Sequence, residues 1–485
     1  MINATESTML QKSVTGRRGY RLPQLDAGLP SVSACLPAHL LRKQQAVLPE
    51  LSEPEIVRHF TRLSQRNYSI DTHFYPLGSC TMKHNPRINE WAARREGFLE
   101  SHPYHPEALI QGNLALMSAL EEYLAEISGL DAVTLQPAAG AHGELTGLFL
   151  IRAYHEDRGN PRQKLLIPDS AHGTNPSSAA ICNYKVVPLK TGPDGYLEAK
   201  TVAAAMDESV AGLMITNPNT LGIFERNLPE IAEIVHRHGG LIYGDGANMN
   251  AVLGKVRMGD LGVDVMHFNL HKTFTTPHGG GGPGAGPVAV RKNLAPYLPI
   301  PIIRKADGAY HLDHHSPQSI GRVRAFYGNF GMLVRAFTYI REMGPDGLRR
   351  VAEMAVVNAN YIRSRLDGAY HLPYTARSLH EVVFTDKFQA AAGVKTLDIA
   401  KRLIDYGFHP PTIYFPLVVK GALMIEPTET ESKQTLDTFC DAMLAIAQEA
   451  KTAPEKILNA PTTAPVKRVD ETLAARQPVL SELWG

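Results

Sequence analysis

Two ionisable residues stand where this chain could do chemistry. Val265, Phe268 and Leu270 suggest a buried strand end, His271-Lys272-Thr273 follows directly, and a glycine-rich run lies a few residues on. An amine at the end of an apolar strand is costly to keep charged, because desolvation favours its neutral form. A neutral amine is the nucleophile that forms a Schiff base with an aldehyde. Upstream, Leu241-Ile242-Tyr243-Gly244-Asp245 reads as a second short buried strand, ending in an acid, and Gly246 leaves room for a ligand to approach the backbone. A surface lysine after a strand has the same local sequence, so Lys272 alone decides nothing. An acid and a lysine at nearby strand ends, however, can face one ligand. Pyridoxal phosphate suits such a pair: the lysine holds its aldehyde, and the carboxylate keeps its ring nitrogen protonated.

Two more strand ends add to this. Gln136-Pro137-Ala138-Ala139-Gly140-Ala141-His142-Gly143-Glu144 follows a short apolar run and opens a helix. Small residues at a helix N-terminus let backbone N–H groups approach a phosphate, which the helix dipole favours. Asp169-Ser170-Ala171-His172-Gly173-Thr174-Asn175-Pro176 follows the next run and reads as a loop. His172 there can stack on a flat ring, although a lone loop histidine is commonly structural.

The elements that must position these residues alternate. Apolar runs at 132–136, 164–168, 184–188, 212–216, 240–245, 263–269 and 286–291 predict strands, and 142–158, 197–206 and 228–238 predict helices. This pattern argues for an α/β fold with a mostly parallel sheet covered on both faces, whose ligands sit at the carboxyl ends of the strands. Before it, Ser52 to Gln65 reads as a helix with a capping box of Ser52 and Glu55 and with Pro54 in its first turn. Residues 72–83, containing PLGSCTMK, read as a loop and a candidate site wall, and 105–128 as a long amphipathic helix. Residues 331–367 predict helices broken near Gly344-Pro345, and 378–450 a smaller α/β unit with strands 381–385 and 421–426 and helices 396–406 and 431–450. The expected division is an N-terminal arm and site-wall loop over 1–104, a large cofactor-binding domain over 105–330, linking helices and a small domain over 331–452, and a tail over 453–485.

Composition excludes other classes. The chain has 485 residues and a formal net charge of +1, so no charged field points to nucleic acid or an anionic membrane. No apolar run is long enough to span a bilayer, and the N-terminus lacks a signal-peptide core. Cys35, Cys80, Cys182 and Cys440 form no CxxC, which predicts a reduced cytoplasmic setting with neither disulfides nor a zinc site. Cys80 has no identifiable base beside it and reads as an inert thiol. Gly279, Gly281 and Gly284 satisfy GxGxxG with Asp307 beyond, but Pro283 interrupts the run and a strand-like segment follows, against a dinucleotide site. His311, Asp313, His314 and His315 match no standard metal spacing and read as a polar loop.

Several segments together carry a family resemblance: PLGSCTMK (76–83), QPAAGAHGE (136–144), SAHGTNPSSA (170–179), DGANMNA (245–251), NLHKTFTTPHGGGGPG (269–284), YGFHPPT (406–412) and EPTE (426–429). In this order, over about residues 70 to 450, the chain resembles subunit 2 (the beta, C-terminal-half subunit) of the glycine cleavage system P-protein, the decarboxylating glycine dehydrogenase. The resemblance implies the aspartate-aminotransferase-like fold (fold type I) of pyridoxal phosphate enzymes. It implies that Lys272 matches the Schiff-base lysine, Asp245 the pyridine-nitrogen acid and His172 the ring-stacking histidine. Ala139, Gly140, Ala141 and Thr273 fall where phosphate contacts are expected, and His271 adjoins them. The family also implies a separate alpha subunit in an α2β2 heterotetramer and a lipoylated H-protein that accepts the aminomethyl group left when glycine loses CO2. Arg322 and Arg324 are candidates for the glycine carboxylate, since arginine pairs bidentately with carboxylates; Thr81 and His73 are candidates for the site wall. Another fold type I enzyme would share Lys272 and Asp245, and a non-catalytic pseudo-subunit would not need them.

Overall fold

A computed structural model describes residues 6–24, 26–44, 46–278 and 284–480. They form two compact units, one of residues up to Thr72 together with those from Thr463, the other His73–Thr462. In the first, the helix Glu53–Ser64 begins as its sequence predicts: Pro54 sits in the first turn, and the Glu55 carboxylate accepts the Ser52 N–H at 2.9 Å. Among the described residues no helix is long and apolar enough to cross a membrane.

The second unit is built on seven strands: β1 (Ala132–Thr134), β2 (Lys164–Pro168), β3 (Lys185–Leu189), β4 (Val210–Thr216), β5 (Leu241–Gly246), β6 (Val265–Phe268) and β7 (Val288–Val290). Their order is β1-β7-β6-β5-β4-β2-β3. Only β7 runs antiparallel to its neighbours. Every residue of β4, β5 and β6 is buried, which is why they read as nearly unbroken apolar runs. Side chains alternate between two cores: Leu213, Ile242 and Phe268 face one, Met214, Tyr243 and Val265 the other. Covered on both faces, the sheet leaves its strand ends as the place for polar chemistry. Asp245 ends β5, and its register partner on β6 is His267. Lys272 follows β6 within the short helix Leu270–Thr273.

Two segments depart from expectation. Thr174–Ile181, whose first three residues read as the end of a loop, is a helix. Pro176 is its third residue, where a missing N–H leaves no helical bond unmade. His311 to Asp313, read as part of a polar loop, end β9 (Ala309–Asp313), the second strand of a hairpin with β8 (Ile302–Ala306). Asp307 and Gly308 make its turn, with φ of 50° and 79°, as a two-residue hairpin requires. His311 there contacts Glu107, and Asp313 pairs with Arg304. In the glycine run, Gly279 and Gly281 lie outside the described residues. Gly284 lies so close to the His271 ring that a Cβ would come within 2.1 Å of Nδ1, and the chain continues into β7 rather than a helix.

The long helix Phe330–Leu366 bends at Gly344 (φ 60°), ahead of Pro345. It leads to a small sheet of β10 (Val382–Thr385), β11 (Thr412–Ile413) and β12 (Ala422–Ile425), ordered β10-β12-β11 and antiparallel. Phe384, Leu403, Leu423 and Phe439 share its core, and Ile457 of the helix Pro454–Leu458 joins them. The segment 76–83 straps onto this sheet. Leu77 bridges Ile425, and Gly78 sits against Met424 with no room for a Cβ. At the far end of the strap the buried Lys83 ammonium meets Glu429 at 2.7 Å and Asn250 at 2.8 Å.

Candidate active site

The strand ends surround a cavity of about 310 Å³. Thr216, Asp245 and His267 line it from β4, β5 and β6, and Lys272 from the turn beyond. Ala139, Gly140 and Ala141 line it at the start of the helix Gly140–Asp157, and His172 and His271 complete the set. The structure thus brings together Lys272, Asp245, His172, His271 and the helix start. It does not bring in the others. Thr273 is buried just outside, with its hydroxyl unpartnered. Thr81 faces Glu426, and His73 is exposed away from the lining. Arg322 contacts His314 and lines a separate depression with His142 and Phe149. Arg324 binds Asn329, which in turn binds the Ala138 carbonyl, so it supports the phosphate-type loop from behind. The two arginines leave the chain after the hairpin, and that segment runs behind the helix start instead of over the cavity.

Asp245 is buried and well supplied with donors. The Ala247 N–H reaches Oδ1 at 2.9 Å, the Asn175 amide reaches Oδ2 at 3.2 Å, and His267 Nε2 lies 3.4 Å from Oδ1. Burial raises its pKa, but His267, these donors and the Lys272 charge together bring it below the ordinary carboxylate value. Burial lowers that of His267, which disfavours its charged form. With Tyr243 Oη at 2.7 Å from Nδ1, the consistent tautomer carries its proton on Nε2, toward Asp245.

Glu144, which sequence reasoning left without a role, lies beside this acid. It accepts from Thr174 Oγ1 at 2.8 Å, Asn175 at 3.0 Å and Ser178 at 3.3 Å. Burial first, and then the Asp245 charge, push its pKa up to about 7. Of the two carboxyls, Asp245 keeps the charge and Glu144 tends to keep the proton. Thr174 links Glu144 onward to His172, whose Nδ1 is 2.8 Å from the same hydroxyl. Asn175, Glu144 and His267 sit inside or beside the quoted motifs, but their meeting needs three elements to converge.

The sign of the Glu144 effect gives a test. An acid whose folded pKa is raised from 4.5 to about 7 contributes stability below 4.5 that is lost as pH climbs through 7. Glu144→Gln removes that loss. The stability of the variant relative to the parent should therefore rise by about 1–3 kcal/mol between pH 4.5 and pH 8. Thermal unfolding of the cofactor-free chains at both pH values measures this, and an unchanged difference would refute the assignment.

The residues present fit pyridoxal phosphate. The helix Gly140–Asp157 has no side-chain cap, so its first N–H groups and dipole are available to an anion. Thr273 Oγ1, Asn269 Oδ1 and Thr216 Oγ1 are buried around the cavity without partners. Unmade polar bonds of this kind are costly, and a polar ligand would satisfy them. An ionised acid and a lysine amine in the same cavity supply the remaining contacts.

Comparison with known proteins agrees. Residues 351–467 match the family model "Glycine dehydrogenase, C-terminal domain", and residues 148–298 match "Aminotransferase class-V". The chain is 57% identical over 481 residues to the probable glycine dehydrogenase (decarboxylating) subunit 2 of Bacillus licheniformis, covering 99% of each. It belongs to this subunit 2 family. The probable subunit 2 of Caldanaerobacter subterraneus subsp. tengcongensis is 53% identical, again over 99% of each chain. Among solved structures, an inhibitor-bound glycine decarboxylase (P-protein) of the glycine cleavage system superposes with a TM-score of 0.73 at 20% identity, over 85% of this chain and 93% of that one. Cysteine desulfurase from Thermococcus onnurineus NA1 gives 0.60 at 16% identity, over 78% and 95%. The sheet is mostly parallel, as the alternating strand pattern predicts, and the architecture is fold type I, as the resemblance implies.

Proposed function

We propose that this chain is the lysine-bearing subunit of a glycine-decarboxylating enzyme of the glycine cleavage system. It uses pyridoxal phosphate, releases CO2 from glycine and passes the aminomethyl group to the lipoyl arm of an H-protein. The observation that carries this reading is the pairing of the Lys272 amine and the ionised Asp245 in one cavity, in a chain matching subunit 2 relatives end to end. When bound, the cofactor supplies an electron sink for the pair left behind as the glycine carboxylate departs.

The chain's own residues prepare for that. Asp245, kept ionised by its donors, holds a proton on the ring nitrogen, and His267 holds Asp245 in place. Lys272 would bond the aldehyde carbon. The N–H groups at Ala139, Gly140 and Ala141, with the Thr273 hydroxyl just beyond the lining, would hold the phosphate. His172 would stack on the ring. The "subunit 2" of the relatives' names implies a subunit 1, and we assign it as the homologous alpha subunit of an α2β2 heterotetramer. All four cysteines are free, which suits a reducing cytoplasm.

Exchange of labelled bicarbonate into the carboxyl group of glycine tests the function. It is expected only when this chain, its partner subunit, pyridoxal phosphate and lipoylated H-protein are combined. Exchange that ignores the H-protein, or a preference for another amino acid, would overturn the reading.

A further inference from the structure

Lys272 does not point into empty space. Its Nζ donates to the Ser79 carbonyl at 2.7 Å. Ser79 belongs to the strap, and the strap is bent there: Ser79 and Thr81 have φ of 65° and 42°, in the left-handed region that residues with a Cβ disfavour. Two carboxyls of the small domain hold this bend. Glu381 Oε2 accepts the Ser79 N–H at 2.9 Å. Glu426 accepts the Thr81 N–H at 3.1 Å and the Thr81 hydroxyl at 2.5 Å. Thr412 Oγ1 adds a bond to the Gly78 carbonyl at 2.7 Å. Glu381 and Glu426 are fully buried, and His380 lies 4.0 and 3.9 Å from their oxygens with both ring nitrogens unpartnered.

Such a carbonyl has a use, if the proposed reaction holds. Glycine arrives as an ammonium. When its nitrogen replaces that of Lys272 at the aldehyde carbon, one carbon–nitrogen double bond forms and one breaks. With each nitrogen protonated while it is double-bonded, two protons pass from the incoming nitrogen to the departing one. Lys272 is then released as an ammonium in a half-buried position, and it needs an acceptor.

We propose that the Ser79 carbonyl is the docking point of the released Lys272 ammonium, and that Glu381 and Glu426 are positioning residues that aim this carbonyl by gripping the bend on either side of Cys80. Burial, ahead of the mutual repulsion of the pair, raises the pKa of Glu381, and burial brings that of Glu426 to about 7, so the grip does not require two full charges. The N–H and O–H groups of the strap donate, and a carboxyl oxygen accepts in either protonation state.

The reactivity of Lys272 in the full-length chain, stripped of cofactor, tests this without relying on activity. Reductive methylation with formaldehyde and cyanoborohydride, read by peptide mass at Lys272, reports how firmly the ammonium is held; exposed lysines serve as internal standards. Glu381→Ala, Glu426→Ala and Thr81→Val should each speed labelling of Lys272 about three- to tenfold, the range set by losing one hydrogen bond. Glu381→Gln and Glu426→Gln keep an acceptor oxygen and should stay within about twofold of the parent. Should an alanine variant fail to fold, Thr81→Val and the two glutamine variants still decide. Unchanged labelling in Thr81→Val, or glutamine variants as fast as the alanine ones, would overturn the proposal, the latter by showing that carboxylate charge sets the lysine's reactivity. A chain that binds no pyridoxal phosphate would sink the functional reading yet leave this measurement intact.

Discussion

Lys272→Ala in the assembled enzyme should lower glycine-dependent CO2 release by about 10⁴-fold, the scale on which removing a covalent or proton-transferring group acts. The lysine sits in a four-residue helix directly after β6, a strand with every residue buried. Among the described residues no other lysine lines the cavity, so none of them can take over the proposed bond to the aldehyde. The proposed phosphate and ring contacts should survive the substitution, because the uncapped helix start, Asp245 and His172 are untouched. The variant should therefore still take up pyridoxal phosphate, but borohydride should no longer fix it to the chain. An added small amine should restore part of the rate by standing in for the missing nitrogen. A loss below about tenfold would mean that the bond to Lys272 is not on the catalytic path.

Lys272 and Asp245 were legible because each ends a short apolar run, and a charged residue at a buried strand end is a conflict that local sequence displays. The strands were legible for the same reason: β4 to β6 are buried on both faces and carry no alternation to confuse. What was not legible depends on segments meeting. Glu144 and Asp245 come together through Asn175, in a helix whose Pro176 made it look like a loop. Glu381 and Ser79 are 302 residues apart, and nothing near His380-Glu381 marks it as part of a site. The arginines failed differently. Their chemistry suits a carboxylate, but the placement of Arg322 and Arg324 follows the route of the chain after β9, which composition does not encode. The hairpin before them has a turn signal, Asp-Gly between two strand-like runs, but Asp307 taken with the glycine run also fits the acid of a dinucleotide site.

Asp245→Asn is expected to separate the electronic role of this acid from its structural one. Asparagine keeps the shape, and its Oδ1 can still accept from the Ala247 N–H and from His267, while its amide N–H group faces the Asn175 donor and loses that one bond, so the cavity should persist. It cannot carry the charge. The ring nitrogen then has no anion to keep it protonated, and the sink for the departing electron pair weakens. A charge-assisted hydrogen bond contributes about 1.5–3 kcal/mol, and losing that amount from the transition state alone lowers the rate by about 10- to 150-fold. The loss should appear in kcat rather than in the glycine KM, because substrate binding does not use the ring nitrogen. The environment of Asp245 sharpens the test. Glu144 has its pKa raised to about 7 by burial and then by the Asp245 charge, so in the parent it is only partly ionised near neutral pH. With the Asp245 charge gone, that pKa falls and Glu144 ionises at lower pH than in the parent. The rate of Asp245→Asn should therefore recover in part as pH rises through the neutral range, and the double variant Asp245→Asn/Glu144→Gln should not. Full activity in Asp245→Asn at neutral pH would remove the acid from the mechanism, whereas recovery in both variants alike would remove Glu144 from it.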